Sequence, residues 1–195
     1  IAASIIEEIA RIPVSVEIAS EFRYTQPLVK ENSMVIAISQ SGETADTLAA
    51  VRLVKSMGIP VLSLCNVDRS SIVREVQSTL FLNAGIEMSV CSTKAFTSQL
   101  VTLILLSTHL ANVKKQKKST QENLVKELIE LPKTLLQVLT QSSKIELMAK
   151  KYCSFKHMFF VGRRYMYPTC LEAALKLKEI SYIDANGYPA GEMKH

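Results

Sequence analysis

The sequence is poor in the residues that punctuate, cross-link or cage a chain. Glycine and proline number six each among 195 residues, and 48% of the chain is apolar. That composition excludes a disordered chain and can bury a core. Four cysteines, Cys65, Cys91, Cys153 and Cys170, lie far apart and form no Cys-x-x-Cys pair. They read as reduced cytoplasmic thiols, not as a disulfide framework. The histidines, His109, His157 and His195, are scattered, with no carboxylate or thiol at metal-ligand spacing. Neither a metal nor another cofactor is expected. A Gly-x-Ser-x-Gly elbow is absent and no Cys–His arrangement stands out, so a serine or cysteine nucleophile is not expected. The net charge of +5 is basic, yet no helix-turn-helix, RNP-like or zinc-finger pattern is present. Aromatic residues do not interleave with a basic stripe either, so nucleic acid is not an expected partner. No signal-like segment opens the chain. It starts at Ile1 rather than Met, inside an apolar helical pattern, and is expected to be a piece of a longer protein.

What is present centres on Ser39-Gln40-Ser41-Gly42-Glu43-Thr44. An apolar run, residues 34–38, precedes it and reads as a buried strand. Residues 45–54 follow with apolar residues at helical spacing. The hexapeptide is therefore a strand-to-helix turn with three hydroxyls, one amide and one glycine. Free backbone N–H groups and the dipole of a helix start suit a bound phosphate, and Gly42 lets the backbone come close. No lysine follows the glycine, which excludes a Walker-type loop. The residues also fit an ordinary helix start, with Ser41 or Thr44 as cap and Glu43 in the first turn.

Along the chain, residues 1–11 read as a helix ended by Ile12-Pro13, and residues 14–18 alternate like a strand. A polar, aromatic connection, residues 19–24, comes next. Beyond the hexapeptide, Gly58 ends a helix, residues 59–65 form an apolar strand, residues 72–77 make a helical turn or two, and residues 79–82 a further short strand. Continuous apolar strands alternating with helices predict an α/β fold with a doubly wound parallel sheet. Ligands in such sheets sit at the carboxyl ends of strands, where residues 39–44 lie. A second hydroxyl-bearing turn, residues 85–94, leads into residues 95–113, which contain no Asp, Glu, Lys or Arg. That length, about 20 residues, would also suit a membrane span, and the lysines from Lys114 resemble a positive-inside flank. Polar residues within the segment, among them Thr97, Ser98, Gln99, Thr102, Ser107, His109 and Asn112, favour a buried helix and no membrane. His109 there reads as core. Residues 114–121 read as a polar linker, and residues 124–149 as helices interrupted near Leu131-Pro132. Residues 158–162 form a new strand, and Pro168 opens a helix through Leu171, Leu175, Leu177 and Ile180. His157 reads as a surface residue.

An offset of 171 lays residues 172–180 on residues 1–9 and residues 190–194 on residues 19–23. Two matched blocks at one offset suggest an internal duplication whose second copy breaks off at His195. Three segments are expected: a first lobe at 1–118, a helical connection at 119–151, and the start of a second lobe at 152–195. Glu172, Lys176 and Glu179 share one helix face at spacings of four and three. They fit a surface ion pair. They also fit a general base, because a partly buried Glu with a raised pKa can take a proton beside a carbonyl or imine.

Residues 35–44 resemble the phosphate-binding turn of sugar isomerase (SIS) domains. Four stretches closely resemble the isomerase region of the glutamine–fructose-6-phosphate aminotransferase family, and the last two narrow the likeness to it: Val16-Glu17-Ile18-Ala19-Ser20-Glu21-Phe22-Arg23-Tyr24; Ser39-Gln40-Ser41-Gly42-Glu43-Thr44-Ala45-Asp46-Thr47; Ser92-Thr93-Lys94-Ala95-Phe96-Thr97-Ser98-Gln99-Leu100; and Ala174-Leu175-Lys176-Leu177-Lys178-Glu179-Ile180-Ser181-Tyr182-Ile183. The likeness implies that Ser39, Gln40, Ser41 and Thr44 bind the phosphate of fructose 6-phosphate or glucosamine 6-phosphate. Val90, through its backbone, and Ser92 would contact the sugar. Glu179 would move a proton between C1 and C2, with Lys176 and Glu172 holding substrate and base in place. His195 would assist ring opening from the neighbouring subunit of a homodimer. The resemblance also implies a glutaminase domain elsewhere in the full-length chain, a C-terminal lysine tail beyond His195, and no activity for this part alone. Cys91 and Asp184-Ala185-Asn186-Gly187 depart from the family's usual residues. A sugar-phosphate sensor is the competing reading, and it would have no use for a base at Glu179.

Overall fold

The computed structural model describes residues 1–194. Its elements run α1 (Ala2–Ala10), α2 (Ala19–Phe22), β1 (Val35–Ser39), α3 (Ala45–Ser56), β2 (Val61–Cys65), α4 (Ser71–Glu75), β3 (Ser78–Phe81), α5 (Lys94–Val113), α6 (Lys118–Leu139), α7 (Ser142–Tyr152), β4 (His157–Gly162), α8 (Met166–Ser181) and β5 (Asp184–Pro189). Every strand pairing is parallel, as the predicted α/β class requires. Contacts divide the chain into two units. One holds Ser15–Met88 and Thr93–Thr102, and the other holds Ile1–Val14, Ser89–Ser92 and the chain from Leu103 onward. The division follows packing, whereas the expected segments 1–118, 119–151 and 152–195 follow the sequence repeat.

In the first of these units the sheet order is β1-β2-β3. Central β2 is the most buried strand, with Leu64 and Cys65 fully enclosed, because neighbours flank it on both edges and apolar residues line both faces. One core cluster joins Ala37, Val51, Val54, Ile59, Val61 and Ile72, so α3 and α4 both pack against the sheet. The end of α3 is set by a Schellman arrangement: Ile59 N–H donates to the Val54 carbonyl and Gly58 N–H to the Lys55 carbonyl. Ile59 and Val54 are both in the core, the apolar contact that usually accompanies this cap. The short helix α2 occupies the expected polar connection, and Arg23 at its end pairs with Asp46 of α3 at 2.9 Å.

In the other unit β4 and β5 pair over their whole length, His157 with Asp184 through Gly162 with Pro189. Residues 184–187, which depart from the family's usual residues, lie in β5. Helix α8 lies close to this strand: a Cβ on Gly187 would meet Leu171 at 3.0 Å. The face of α8 that is buried carries the small residues Cys170 and Ala174. Ile6, Ala10 and Ala111 make a second core cluster joining α1 to α5.

Several local expectations fail for identifiable reasons. Residues 14–18 are irregular, not strand. Val14 N–H is taken by the Glu7 carboxylate at 3.0 Å, and no strand among the described residues pairs with this stretch. Its equivalent at the offset of 171 is β5, which is a strand because β4 lies beside it. Helices α1 and α8 match at that offset, whereas residues 190–194 form turns opposite helix α2. Helix α6 runs unbroken through Pro132. Only one ladder hydrogen bond is lost there, and the Leu128 carbonyl it frees is not fully buried. His109 is exposed, not core. Helix α5 has the length and apolar composition of a membrane span. Its buried positions nevertheless include Ser107 and Thr108, whose hydroxyls donate to carbonyls of their own helix.

Leu64 is wholly buried in the central strand. Truncation to alanine is expected to cost ~2–5 kcal/mol. A fall in the urea midpoint that, multiplied by an unchanged m-value, gives a loss in that range checks it.

Candidate functional site

The 39–44 turn begins where β1 ends. Ser39 is buried, and its hydroxyl accepts from Gly42 N–H at 3.0 Å and lies 3.3 Å from the Thr44 hydroxyl. Ser41 Oγ accepts from Glu43 N–H at 3.2 Å. All three hydroxyls are thus oriented by bonds inside the turn. Gly42 closes it with φ +66°, a left-handed conformation that glycine adopts without strain. A Cβ at this position would lie 2.0 Å from Ser70 Oγ and 2.7 Å from Cys65 Sγ, so the site admits no side chain.

Thr44 stands at the N-cap of α3, but no side chain among the described residues caps that helix. The three hydroxyls of the turn and the first amides of α3 gather polar groups at a helix start. Glu43, expected in the first turn of α3, precedes that helix instead. Its carboxylate accepts from Ser71 N–H at the start of α4, at 2.7 Å. The hydrogen bonds from Ser71, helped by the nearby Arg74 charge, hold the Glu43 carboxyl below its ordinary pKa.

Beside the turn, in the same unit, an open cleft of about 880 Å³ is lined by Gln40, Asn66, Asp68, Phe81 and Asn83 among others. Gln40 follows β1, Asn66 follows β2 and Phe81 ends β3, so the cleft lies at the carboxyl edge of the sheet. Asn66 organises this edge: its N–H donates to the Gln40 carbonyl, its side-chain amide donates to Gly85 O, and its side-chain oxygen accepts from Ala84 N–H. Asn66, Ser70 and Ser71 read in the sequence only as a polar turn. The pattern Ser70-Ser71 ahead of Ile72-Val73 was the available sign of a helix start there.

In the other unit, α8 brings Glu172, Lys176 and Glu179 together. Lys176 Nζ lies 3.4 Å from Glu172 Oε1 and 2.8 Å from Glu179 Oε2, and all three side chains are about three-quarters buried. Glu179 Oε2 is shielded from water and accepts no well-directed hydrogen bond, so its link to Lys176 is an ion pair. Burial alone would pull the Lys176 ammonium down. The two carboxylates together outweigh it and hold its pKa above the ordinary value. Leu175 and Ile180, the apolar neighbours of these residues along the helix, are 44% and 65% exposed.

Val90 and Ser92 belong to the Ser89–Ser92 segment of this unit. Val90 is exposed, Ser92 is partly buried, and Cys91 between them is buried. His195 lies outside the described residues. The structure therefore assembles Ser39, Gln40, Ser41 and Thr44 in one turn, and Glu172, Lys176 and Glu179 on one helix, each within its own unit.

The SIS domain model matches residues 1–108 and 151–195. The chain belongs to the SIS domain family. Among curated relatives, this SIS chain is 50% identical over 190 residues to glutamine–fructose-6-phosphate aminotransferase [isomerizing] of Escherichia coli strain K12, covering 97% of the chain and 31% of that protein. It is 52% identical over 194 residues to the enzyme of the same name from Chlamydia caviae, covering 98% of the chain and 32% of the relative. The chain thus spans about a third of the length of the curated relatives it matches. Among solved structures, the C-terminal domain of glucosamine-fructose-6-phosphate aminotransferase from Francisella tularensis superposes with a TM-score of 0.97 at 41% identity, over all of this chain and 55% of that one.

The raised Lys176 pKa fixes the sign of a pH effect. Stabilisation by its charge is fully present below the unfolded lysine value, about 10.4, and is lost as pH rises through the folded one. Lys176→Met should therefore lower Tm at pH 7, and its gap from wild type should narrow in the alkaline range. Thermal melts of both proteins from pH 7 upward check this.

Proposed function

We propose that this SIS chain is the isomerase part of a glutamine–fructose-6-phosphate aminotransferase, the enzyme of amino-sugar biosynthesis that makes glucosamine 6-phosphate. The single observation that carries the reading is the 39–44 turn. Three pre-oriented hydroxyls stand at an uncapped helix start on the carboxyl edge of a parallel sheet. A phosphate dianion needs such a set of donors, with the helix dipole behind it. The named relatives, at 50% and 52% identity, support the choice of hexose phosphate over other phosphates.

Ser39, Gln40, Ser41 and Thr44 hold the phosphate in this reading, and Val90, Ser92 and Glu172 contact the sugar. Ammonia from glutamine, delivered by a glutaminase domain of the full-length enzyme, replaces the C2 carbonyl oxygen. Glu179 takes the proton from C1, and the proton returns to C2, turning the ketose skeleton into the aldose. Lys176 keeps the Glu179 carboxylate oriented through their 2.8 Å ion pair. His195 assists ring opening across a homodimer. The reading includes a cytoplasmic setting, supported by four cysteines that are all free thiols.

Two measurements test it. Calorimetry with glucosamine 6-phosphate should show Ser41→Ala losing ~1.5–3 kcal/mol, the value of a hydrogen bond to a charged group. Unchanged affinity would remove the phosphate site. In the full-length enzyme, Glu179→Gln keeps the shape but cannot accept a proton. Isomerisation of fructose 6-phosphate should fall by ~10²–10⁴ with binding retained. Turnover at the wild-type rate would leave Glu179 as no more than an ion-pair partner of Lys176.

A further inference from the structure

A carboxylate inside a phosphate cradle needs an explanation. Glu43 stands between Ser41 and Thr44, two of the residues whose hydroxyls receive the phosphate in the proposed reading. A negative charge there opposes a dianion, since like charges a few ångströms apart disfavour each other's ionised form. The carboxylate is diverted to the start of α4. Ser71 N–H donates to Glu43 Oε1 at 2.7 Å, and the next amide, Ile72 N–H, donates to the Gly42 carbonyl at 3.0 Å. Two consecutive amides at the start of α4 are thus taken by two consecutive residues of the turn. Arg74, one turn further along α4, contributes the opposing charge. Its guanidinium is itself held by Ser71 Oγ at 3.0 Å and by the Arg69 carbonyl.

We propose that Glu43 is a positioning residue, tying the 39–44 turn to the start of α4 and so fixing the hydroxyls and amides that receive the phosphate. The proposal rests on the phosphate reading of that turn. It accounts for the length of the tether. An aspartate would be a methylene shorter, and an alanine would leave Ser71 N–H without its acceptor and the turn held to α4 only through Gly42. The shape of the turn then depends on residues nearly thirty positions away, at the far end of β2.

The test uses the full-length enzyme with Glu43→Ala, Glu43→Gln, Ser71→Pro and Ser41→Ala, measured by calorimetry with glucosamine 6-phosphate and by kinetics with fructose 6-phosphate. Glu43→Ala should weaken binding about tenfold, most of it in KM rather than kcat. Glu43→Gln, whose amide oxygen still accepts from Ser71 N–H, should restore most of the affinity. A role confined to stability would not give that rescue together with a KM effect. Ser71→Pro deletes the donor while suiting the first position of a helix. Ser70 already has φ −65° and ψ 163°, the conformation a following proline requires. Ser71→Pro should reproduce the Glu43→Ala loss, and the double variant should add little to it. It also carries the test if Glu43→Ala folds poorly. Wild-type affinity in either Glu43→Ala or Ser71→Pro, with Ser41→Ala weakened, overturns the positioning role and leaves the phosphate site standing. Wild-type affinity in Ser41→Ala removes the phosphate reading, and the positioning role falls with it.

Discussion

The contact between Gly42 and the Cys65–Ser70 corner is the constraint on which the shape of the 39–44 turn depends. The backbone turns left-handed at a buried position where a single added carbon would collide with Ser70 and Cys65. With no side chain in the way, Ile72 N–H can reach the Gly42 carbonyl and Ser39 Oγ can reach Gly42 N–H. The same closeness lets Glu43 span to Ser71. Each bond is modest by itself, about 0.5–1.5 kcal/mol net for a neutral pair. Together they over-determine one turn geometry, which is what a preorganised anion site requires.

Helix α8 solves a different problem. Its buried face is built of small residues, Cys170 and Ala174, so that it can lie close on β4 and β5. The groups of chemical interest, Glu172, Lys176 and Glu179, are partly buried and mutually paired. One ammonium between two carboxylates keeps all three groups near one another without a full desolvation penalty on any. The ion pair orients Glu179 while leaving its second oxygen out of that bond. Leu171, Leu175 and Ile180 stay exposed on the same helix, so the neighbour of Glu179 on this helix is the Lys176 ammonium rather than an apolar side chain.

The repeat shows how far local sequence can go in making a strand. The 14–18 stretch alternates apolar and polar residues and β5 does not, yet of the two only β5, its equivalent at the offset of 171, forms a strand. Strand stability comes from pairing and cross-strand contacts more than from intrinsic preference. Val14 gives its amide to Glu7 instead. The helices α1 and α8, whose hydrogen bonds are internal, keep their form at that offset without such a neighbour.

Much of the molecule was legible from order along the chain. Apolar runs bounded by polar turns marked β1, β2 and β3 to within a residue or two. The hexapeptide's hydroxyls and glycine marked the candidate phosphate turn, and the four-and-three spacing of Glu172, Lys176 and Glu179 placed them on one face. These features are local, with periods and turn chemistry written within a few residues. Tertiary structure decided the rest. Glu43 reads as a first-turn carboxylate until Ser71 is seen beside it, and His109 reads as core until the helix is rotated into place. Pro132 reads as a break until the lost bond proves to be one among many. Leu175 and Ile180 are apolar, yet the packing of α8 leaves them exposed. Burial, charge pairing and hydrogen-bond partners depend on residues far apart in sequence, and the fold alone brings those together.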